Sequence, residues 1–131
     1  TQGDELPPRL KTIFESVGAL VLQYRPGEIA IEKVFVHRNA DSALKLGQAR
    51  GAALCAVVAH GAAVYEYAPR AIKLAVVGTG AADKAQVSHM VQVLLTIEAP
   101  ATADISDALA IALCHAQNRR VANRLAVLGS A

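Results

Sequence analysis

Three carboxylates in this sequence have the type and spacing that could carry chemistry. Glu32 lies within an otherwise apolar segment, residues 30–35, that reads as part of a strand. Asp104 and Asp107 are three residues apart at the start of a predicted helix, so they share one face and repel each other unless a cation lies between them. Mg²⁺ prefers oxygen ligands, and two such ions could activate a water and stabilise the leaving oxygen of a phosphodiester. The three acids therefore predict a site for two Mg²⁺ ions, for which Mn²⁺ could substitute.

Each carboxylate also has a purely structural interpretation. Glu32 could simply face solvent, because the side chains of a strand alternate between its two faces. Asp104 followed by an acid three residues later resembles a capping box, and the helix dipole favours both charges. Both interpretations stay open at the level of sequence, since local spacing does not place Glu32 beside the two aspartates.

Two lysines could contact a phosphate group. Lys73 falls in a predicted short helix after Pro69, and Lys84 follows a glycine loop at the N-terminus of the next predicted helix. Free backbone amides at a helix N-terminus favour anions, so a lysine there is a reasonable phosphate contact. The alternative for each lysine is an ordinary position on the solvated surface.

The segment 75–83 resembles a dinucleotide-binding turn, and Glu98 follows at about the distance of the acidic residue in that motif. Asp83 would put a negative charge where a pyrophosphate sits, and the residues before Gly78 have a helical pattern. A dinucleotide-binding module is therefore the more distant alternative.

Alternating helices and strands must position these residues, which indicates an α/β fold. The 131 residues suit one domain, expected over residues 1–117, with a tail at 118–131 that could fray. The patterns predict helices near 6–24, 69–77, 83–96 and 105–117, a helix capped by Asp41 or Ser42 that ends near His60, and strands over 28–36 and 62–67. Two strands form too small a sheet to cover the faces of five helices.

Composition narrows the class of protein only slightly. The chain is 53% hydrophobic with a net charge of +2, which permits nucleic-acid binding without requiring it. It has no long apolar run and no signal segment, so we expect a cytoplasmic protein. Cys55 and Cys114 fall in apolar helical stretches and are expected to be buried thiols. The four histidines, at 37, 60, 89 and 115, lack metal-ligand spacing and are assigned no role.

Four blocks of the sequence resemble the successive signatures of the RuvC family of Holliday junction resolvases, in the family's order and spacing. They are residues 30–35, 39–51, 76–84 and 104–112, and the resemblance extends from Leu6 to His115. It implies a ribonuclease H-like fold, a homodimer, and Mg²⁺-dependent cutting of four-way junction DNA within a short T-rich sequence. It also implies a branch-migration partner of the RuvA–RuvB type and a place near the bacterial nucleoid.

The resemblance assigns roles to six residues by position. Glu32, Asp104 and Asp107 would be catalytic metal ligands. Lys73 and Lys84 would act at the scissile phosphate or its neighbours, Lys84 as a catalytic residue. Phe35 would engage unstacked bases at the junction, although from its pattern alone it is a hydrophobic residue at the end of a strand.

The sequence departs from the family pattern at its start. Family members begin with a strand carrying Gly-Ile-Asp-Pro-Gly, whose Asp is a further metal ligand, and Asp4 has no strand context to replace it. We therefore expect residues 1–131 by themselves not to cut DNA. The corresponding alternative is a non-catalytic remnant that still binds junction DNA.

Overall fold

The structure, a computed structural model, describes residues 5–33, 40–100 and 102–129. The chain forms two compact units, the first made of Thr1–Ile29 and Val34–Tyr65 and the second of Ala30–Lys33 and Glu66–Ala131. The expected domain over residues 1–117 coincides with neither unit and stays a prediction. Within the described ranges, none of the helices combines the length and apolar character that a membrane span requires.

The described chain contains five helices and two strands, and the last three elements are all helices. In order they are α1 Leu6–Tyr24, β1 Glu28–Glu32, α2 Ala40–Ala59, β2 Ala63–Tyr67, α3 Pro69–Val77, α4 Lys84–Leu95 and α5 Ala103–Gly129. The strands pair side by side as a two-stranded sheet. Hydrogen bonds from the Ala63 amide to the Gly27 carbonyl (2.9 Å) and from the Lys33 amide to the Tyr67 carbonyl (2.8 Å) set a parallel register.

The first unit is built on α1 and α2. Prolines at the first positions of α1 suit a helix start because their missing N–H groups would be unpaired there in any case. The helix ends at Arg25, which has a left-handed conformation (φ 47°) and donates its amide to the Val21 carbonyl at 2.8 Å. A small apolar core of Val21, Val57 and Ala62 lies between the elements of this unit.

The second unit holds the larger core. Helices α3, α4 and α5 contribute most of its buried side chains, among which Val91 and Cys114 are completely inaccessible. The buried members are Ile72, Val76, Ala82, Val87, Val91, Ala110 and Cys114. Because α3, α4 and α5 share this core, the residues on their exposed faces have fixed relative positions.

Some sequence predictions need correction. Helix α2 is described from Ala40, so the expected cap positions Asp41 and Ser42 lie within its first turn, where Asp41 Oδ2 is 3.4 Å from Lys45 Nζ. Helix α5 extends to Gly129 instead of ending near Gln117, so residues 118–129 are helical. Cys55 is exposed, whereas Cys114 is buried as expected. The strand expected over residues 28–36 is described only as far as Glu32.

Candidate functional site

Four of the predicted site residues line one pocket in the second unit. Glu32, Lys73, Lys84 and Asp107 surround a pocket of about 120 Å³. The remaining wall is mostly apolar and comes from Pro69, Ile72, Val87, Ala110 and Ile111. Residues from β1, α3, α4 and α5 thus meet at one place, which local sequence spacing could not establish.

The end of β1 brings Glu32 to this pocket. The next residue, Lys33, is held by the hydrogen bond of its amide to the Tyr67 carbonyl at the end of β2. Glu32 itself is exposed, so its charge is not buried in the apolar sheet, and it avoids the large free-energy cost of an unpaired buried carboxylate. Its carboxylate is available to a cation that enters the pocket.

A capping box places Lys84. The Asp83 carboxylate accepts a hydrogen bond from the Gln86 amide at 2.8 Å, and the Gln86 side-chain oxygen accepts one from the Asp83 amide at 2.9 Å. This reciprocal pair satisfies two amides that a helix start leaves unpaired, and it fixes α4 to begin at Lys84. The spacing of an acid and a glutamine three residues apart could have revealed the box from the sequence.

Lys84 and Asp107 form an ion pair across the pocket. Lys84 Nζ lies 3.8 Å from Asp107 Oδ2, and the two side chains are 84% and 50% exposed. Exposed pairs of this kind contribute at most about 1 kcal/mol, because solvent screens them and both side chains lose freedom. Either partner can therefore exchange the other for a ligand at little cost.

The start of α5 separates Asp104 from Asp107. Thr102 Oγ1 accepts a hydrogen bond from the Ile105 amide at 3.2 Å, so the capping group is Thr102 and the interpretation of Asp104 as the cap is wrong. Asp104 is exposed in the first turn and does not line the pocket, whereas Asp107, one turn later, does. Over the described ranges, no three His, Cys, Asp or Glu side chains form a group that could hold a metal ion.

Lys73 reaches the pocket from α3, whose first position is Pro69, and its side chain is half-buried. Phe35, the other residue expected to contact DNA, lies outside the described residues. The site as described consequently contains two carboxylates and two ammonium groups.

The resemblance to a dinucleotide-binding turn is not supported by the structure. The residues before Gly78 form helix α3, whereas that motif requires a strand there. Gly78 (φ 95°) ends α3 with its amide bonded to the Leu74 carbonyl at 2.9 Å, and Asp83 caps α4. The Arg70 side chain lies against Gly80, so a Cβ atom there would be 2.6 Å from Cγ of Arg70.

Comparisons with known proteins identify the family that this chain resembles. The family described as crossover junction endodeoxyribonuclease RuvC matches residues 1–115. The RuvC protein of Methylococcus capsulatus is 57% identical over 125 residues, which cover 95% of this chain and 76% of the relative. The RuvC protein of Vibrio vulnificus strain CMCP6 is 55% identical over 126 residues, which cover 96% of this chain and 73% of the relative.

Two solved structures of Thermus thermophilus RuvC are also similar, one of them in complex with a Holliday junction substrate. Each is 36% identical to this chain, and each match covers 93% of this chain and 74% of the solved chain. The TM-score is 0.85 for the first structure and 0.87 for the complex. These likenesses confirm the predicted α/β, ribonuclease H-like fold.

Proposed function

Because the chain belongs to the RuvC family of crossover junction endodeoxyribonucleases, we propose that it resolves four-way DNA junctions by Mg²⁺-dependent hydrolysis of phosphodiesters. The observation that carries the proposal is the convergence of Glu32, Asp107, Lys73 and Lys84 on one pocket. Carboxylates supply the oxygen ligands that Mg²⁺ prefers, and ammonium groups attract the phosphate of the substrate.

The donor set of the pocket fits Mg²⁺. Protein sites usually hold this ion by one or two carboxylates and leave the other positions to water and substrate phosphate, and Glu32 and Asp107 supply that number. When bound, the metal supplies Lewis-acid activation of a water and stabilisation of the leaving oxygen. Asp104, three residues before Asp107 on α5, is proposed as a further ligand. Two ions per site, with Mn²⁺ as a substitute, belong to the same proposal.

The lysines act on the charge of the substrate. Lys84 neutralises part of the charge of Asp107 in the free protein and can turn to a phosphate oxygen, since its side chain is 84% exposed. Lys73 is half-buried at the wall of the pocket and is less free to move, so we propose that it orients the phosphate. Phe35 is proposed to stack on an unpaired base at the junction.

Symmetric cutting of a four-way junction requires two copies of the site. Ala40, Ala43, Leu44, Gly47 and Gln48 line a shallow groove along α2, where Leu44 is 62% exposed. An exposed apolar stripe with a glycine lets another helix approach closely, which supports a homodimer through α2. Leu44→Asp should therefore shift the protein from dimer to monomer in light scattering, and an unchanged mass would contradict this part of the proposal.

We propose that the protein acts on chromosomal DNA in the bacterial cytoplasm together with a branch-migration complex of the RuvA–RuvB type. This part of the proposal rests on membership of the family. Co-purification of the protein with such a complex on junction DNA would support it, and independent binding of the two to the junction would contradict it.

A second function is favoured by one observation. Since the described residues contain no group of three metal-ligating side chains, a protein that binds junctions without cutting them is the alternative. Such a protein would recognise the shape of the junction through contacts with the DNA backbone, and its binding would not depend on Mg²⁺.

A cleavage assay with the natural protein separates these functions. The substrates are a labelled four-way junction and a linear duplex of the same sequence, each with Mg²⁺ and with EDTA. We expect nicks at opposed strands of the junction in Mg²⁺ alone, and little cutting of the duplex. Tight binding to the junction with no cleavage in Mg²⁺ or Mn²⁺ would establish the alternative.

A further inference from the structure

Tyr67 is bonded to both elements that carry the pocket carboxylates. Its main-chain carbonyl accepts the amide of Lys33, the residue after Glu32, at 2.8 Å. Its phenol oxygen lies 2.6 Å from Nδ1 of His115 on α5, the helix that carries Asp107. One residue therefore joins the end of β1 to α5.

The contact between Tyr67 and His115 is directional and partly shielded from water. Both side chains are half-buried, and their rings lie 5.7 Å apart at an interplanar angle of 57°. The Tyr67 ring also packs against the core of the second unit. A hydrogen bond in such surroundings has fewer competing water partners than one at the open surface, so it restricts the geometry of the two elements more strongly.

A second polar contact of α5 is weaker. Cys114 is fully buried, and its thiol donates a hydrogen bond of 3.8 Å to the Ala71 carbonyl on α3. Because a thiol is a weak donor, this contact restrains a rotation of α5 less than the bond between Tyr67 and His115 does. His115 lies about two turns after Asp107, and a regular helix transmits a rotation over that length.

We propose that Tyr67 and His115 are positioning residues that set the separation of the Glu32 and Asp107 carboxylates. Neither side chain lines the pocket, so they act through the elements that they join. The inference rests on the proposed function, because it concerns the cation and phosphate that the carboxylates would hold. Two ligands of one ion must be held to within about 0.5 Å, so a small rotation of α5 is enough to weaken binding.

The expected size of the effect is taken from the hydrogen bond between Tyr67 and His115. A net contribution near the upper end of the usual range for hydrogen bonds corresponds to about a tenfold change in an equilibrium constant. Tyr67→Phe keeps the ring in the core and keeps the main-chain bond to Lys33, so it removes the hydroxyl alone. His115→Gln keeps a polar side chain of similar length but changes the direction of its donor and acceptor.

Binding of Mn²⁺ to the full chain, followed by electron paramagnetic resonance, tests the inference without any cleavage assay. We expect Tyr67→Phe and His115→Gln each to raise the Kd for Mn²⁺ about tenfold. The loss in the double variant should be clearly smaller than the combined losses of the two single variants, because both changes remove the bond between Tyr67 and His115. Tyr24→Phe on α1 and His89→Gln on α4 are matched controls at exposed positions and should bind Mn²⁺ as the unchanged chain does.

Thermal unfolding in EDTA separates positioning from a merely structural role. The melt shows whether Tyr67→Phe and His115→Gln are fully folded at the temperature of the Mn²⁺ titration. If they are folded and still bind Mn²⁺ more weakly, the loss comes from the position of the carboxylates. If Asp107→Asn loses Mn²⁺ binding while Tyr67→Phe binds like Tyr24→Phe, the inference is overturned and the proposed function stands. If Asp107→Asn binds Mn²⁺ normally, the metal site of the proposed function is overturned as well. Effects that multiply in the double variant would contradict a shared role for the pair.

Discussion

Lys84 Nζ lies 3.8 Å from Asp107 Oδ2, so the first residue of α4 is paired with the second turn of α5. The pair is too exposed to hold the two helices together. Its effect is local, because it keeps a positive charge beside Asp107 and beside the pocket that Glu32 also lines. A cation that binds the carboxylates would release Lys84 to a phosphate, which couples metal and DNA binding in one site.

Lys84→Ala should weaken junction binding and flatten its dependence on salt. A lysine that neutralises one phosphate contributes about one unit to the slope of log K against log salt concentration. Fluorescence anisotropy over a series of salt concentrations measures that slope. Lys11→Ala on α1, where the lysine pairs with Glu15 at 3.8 Å, is the matched control and should leave the slope unchanged. An unchanged slope in Lys84→Ala would mean that this lysine is an ordinary solvated residue that does not contact a phosphate.

Asp83→Ala should destabilise the protein by about 1 kcal/mol, because it removes the side-chain acceptor of the capping box. Urea unfolding followed by circular dichroism measures the change in the free energy of unfolding. Asp83→Asn keeps a side-chain oxygen for the Gln86 amide and should recover most of the loss. Equal destabilisation by both substitutions would mean that the cap is not the source of the effect.

Gly80→Ala should displace the Arg70 side chain from the loop, since the new Cβ would lie 2.6 Å from Cγ of Arg70. Arg70 is exposed and flexible, so we expect the free energy of unfolding to change by no more than about 0.5 kcal/mol. Urea unfolding measures this change, and a thermal melt with added NAD⁺ tests the rejected dinucleotide site. A rise in the melting temperature that Gly80→Val abolishes would reinstate that site.

The two cysteines should differ sharply in reactivity. Cys55 is exposed, whereas Cys114 is fully buried, and burial raises the pKa of the Cys114 thiol above its ordinary value of 9.0. We expect a thiol reagent to label Cys55 in the folded protein and Cys114 only after unfolding, which mass spectrometry resolves. Rapid labelling of Cys114 in the folded state would contradict its burial.

The same pKa shift predicts a dependence of stability on pH. The folded state resists ionisation of Cys114, so the unfolded chain loses its proton first as the pH rises. The contribution of this thiol to stability is therefore complete below pH 9.0 and declines above it. In Cys114→Ala this part of the decline should disappear from urea unfolding curves measured on both sides of pH 9.0.

Much of the fold was predictable because local signals mark the ends of several helices. Proline at the first positions of α1 and α3 predicted where those helices begin, and the apolar periodicity of residues 83–96 predicted α4 to within one residue at each end. The end of α5 was predicted wrongly because its last turns are exposed and have little apolar periodicity. The alanines, arginines and leucines of residues 119–128 favour a helix by their intrinsic propensity, which a search for periodicity overlooks.

The site was predictable in its residue types and only partly in its arrangement. Spacing alone placed Asp104 and Asp107 on one face, but the packing of α5 decides that Asp107 lines the pocket and Asp104 does not. His115 was assigned no role because its partner, Tyr67, is 48 residues away and no local pattern links them. Contacts over such distances depend on the tertiary fold, which spacing does not encode.

We propose that Glu32 and Asp107 jointly hold the cation for junction cleavage. The decisive experiment compares cleavage of a labelled four-way junction in Mg²⁺ by the natural protein with cleavage by its Glu32→Gln and Asp107→Asn variants. Glu15→Gln, an exposed acid on α1, is the matched control. We expect both site variants to lose cleavage while they bind the junction as tightly as the unchanged protein, and the control to cut normally. Normal cleavage by Asp107→Asn would contradict the claim.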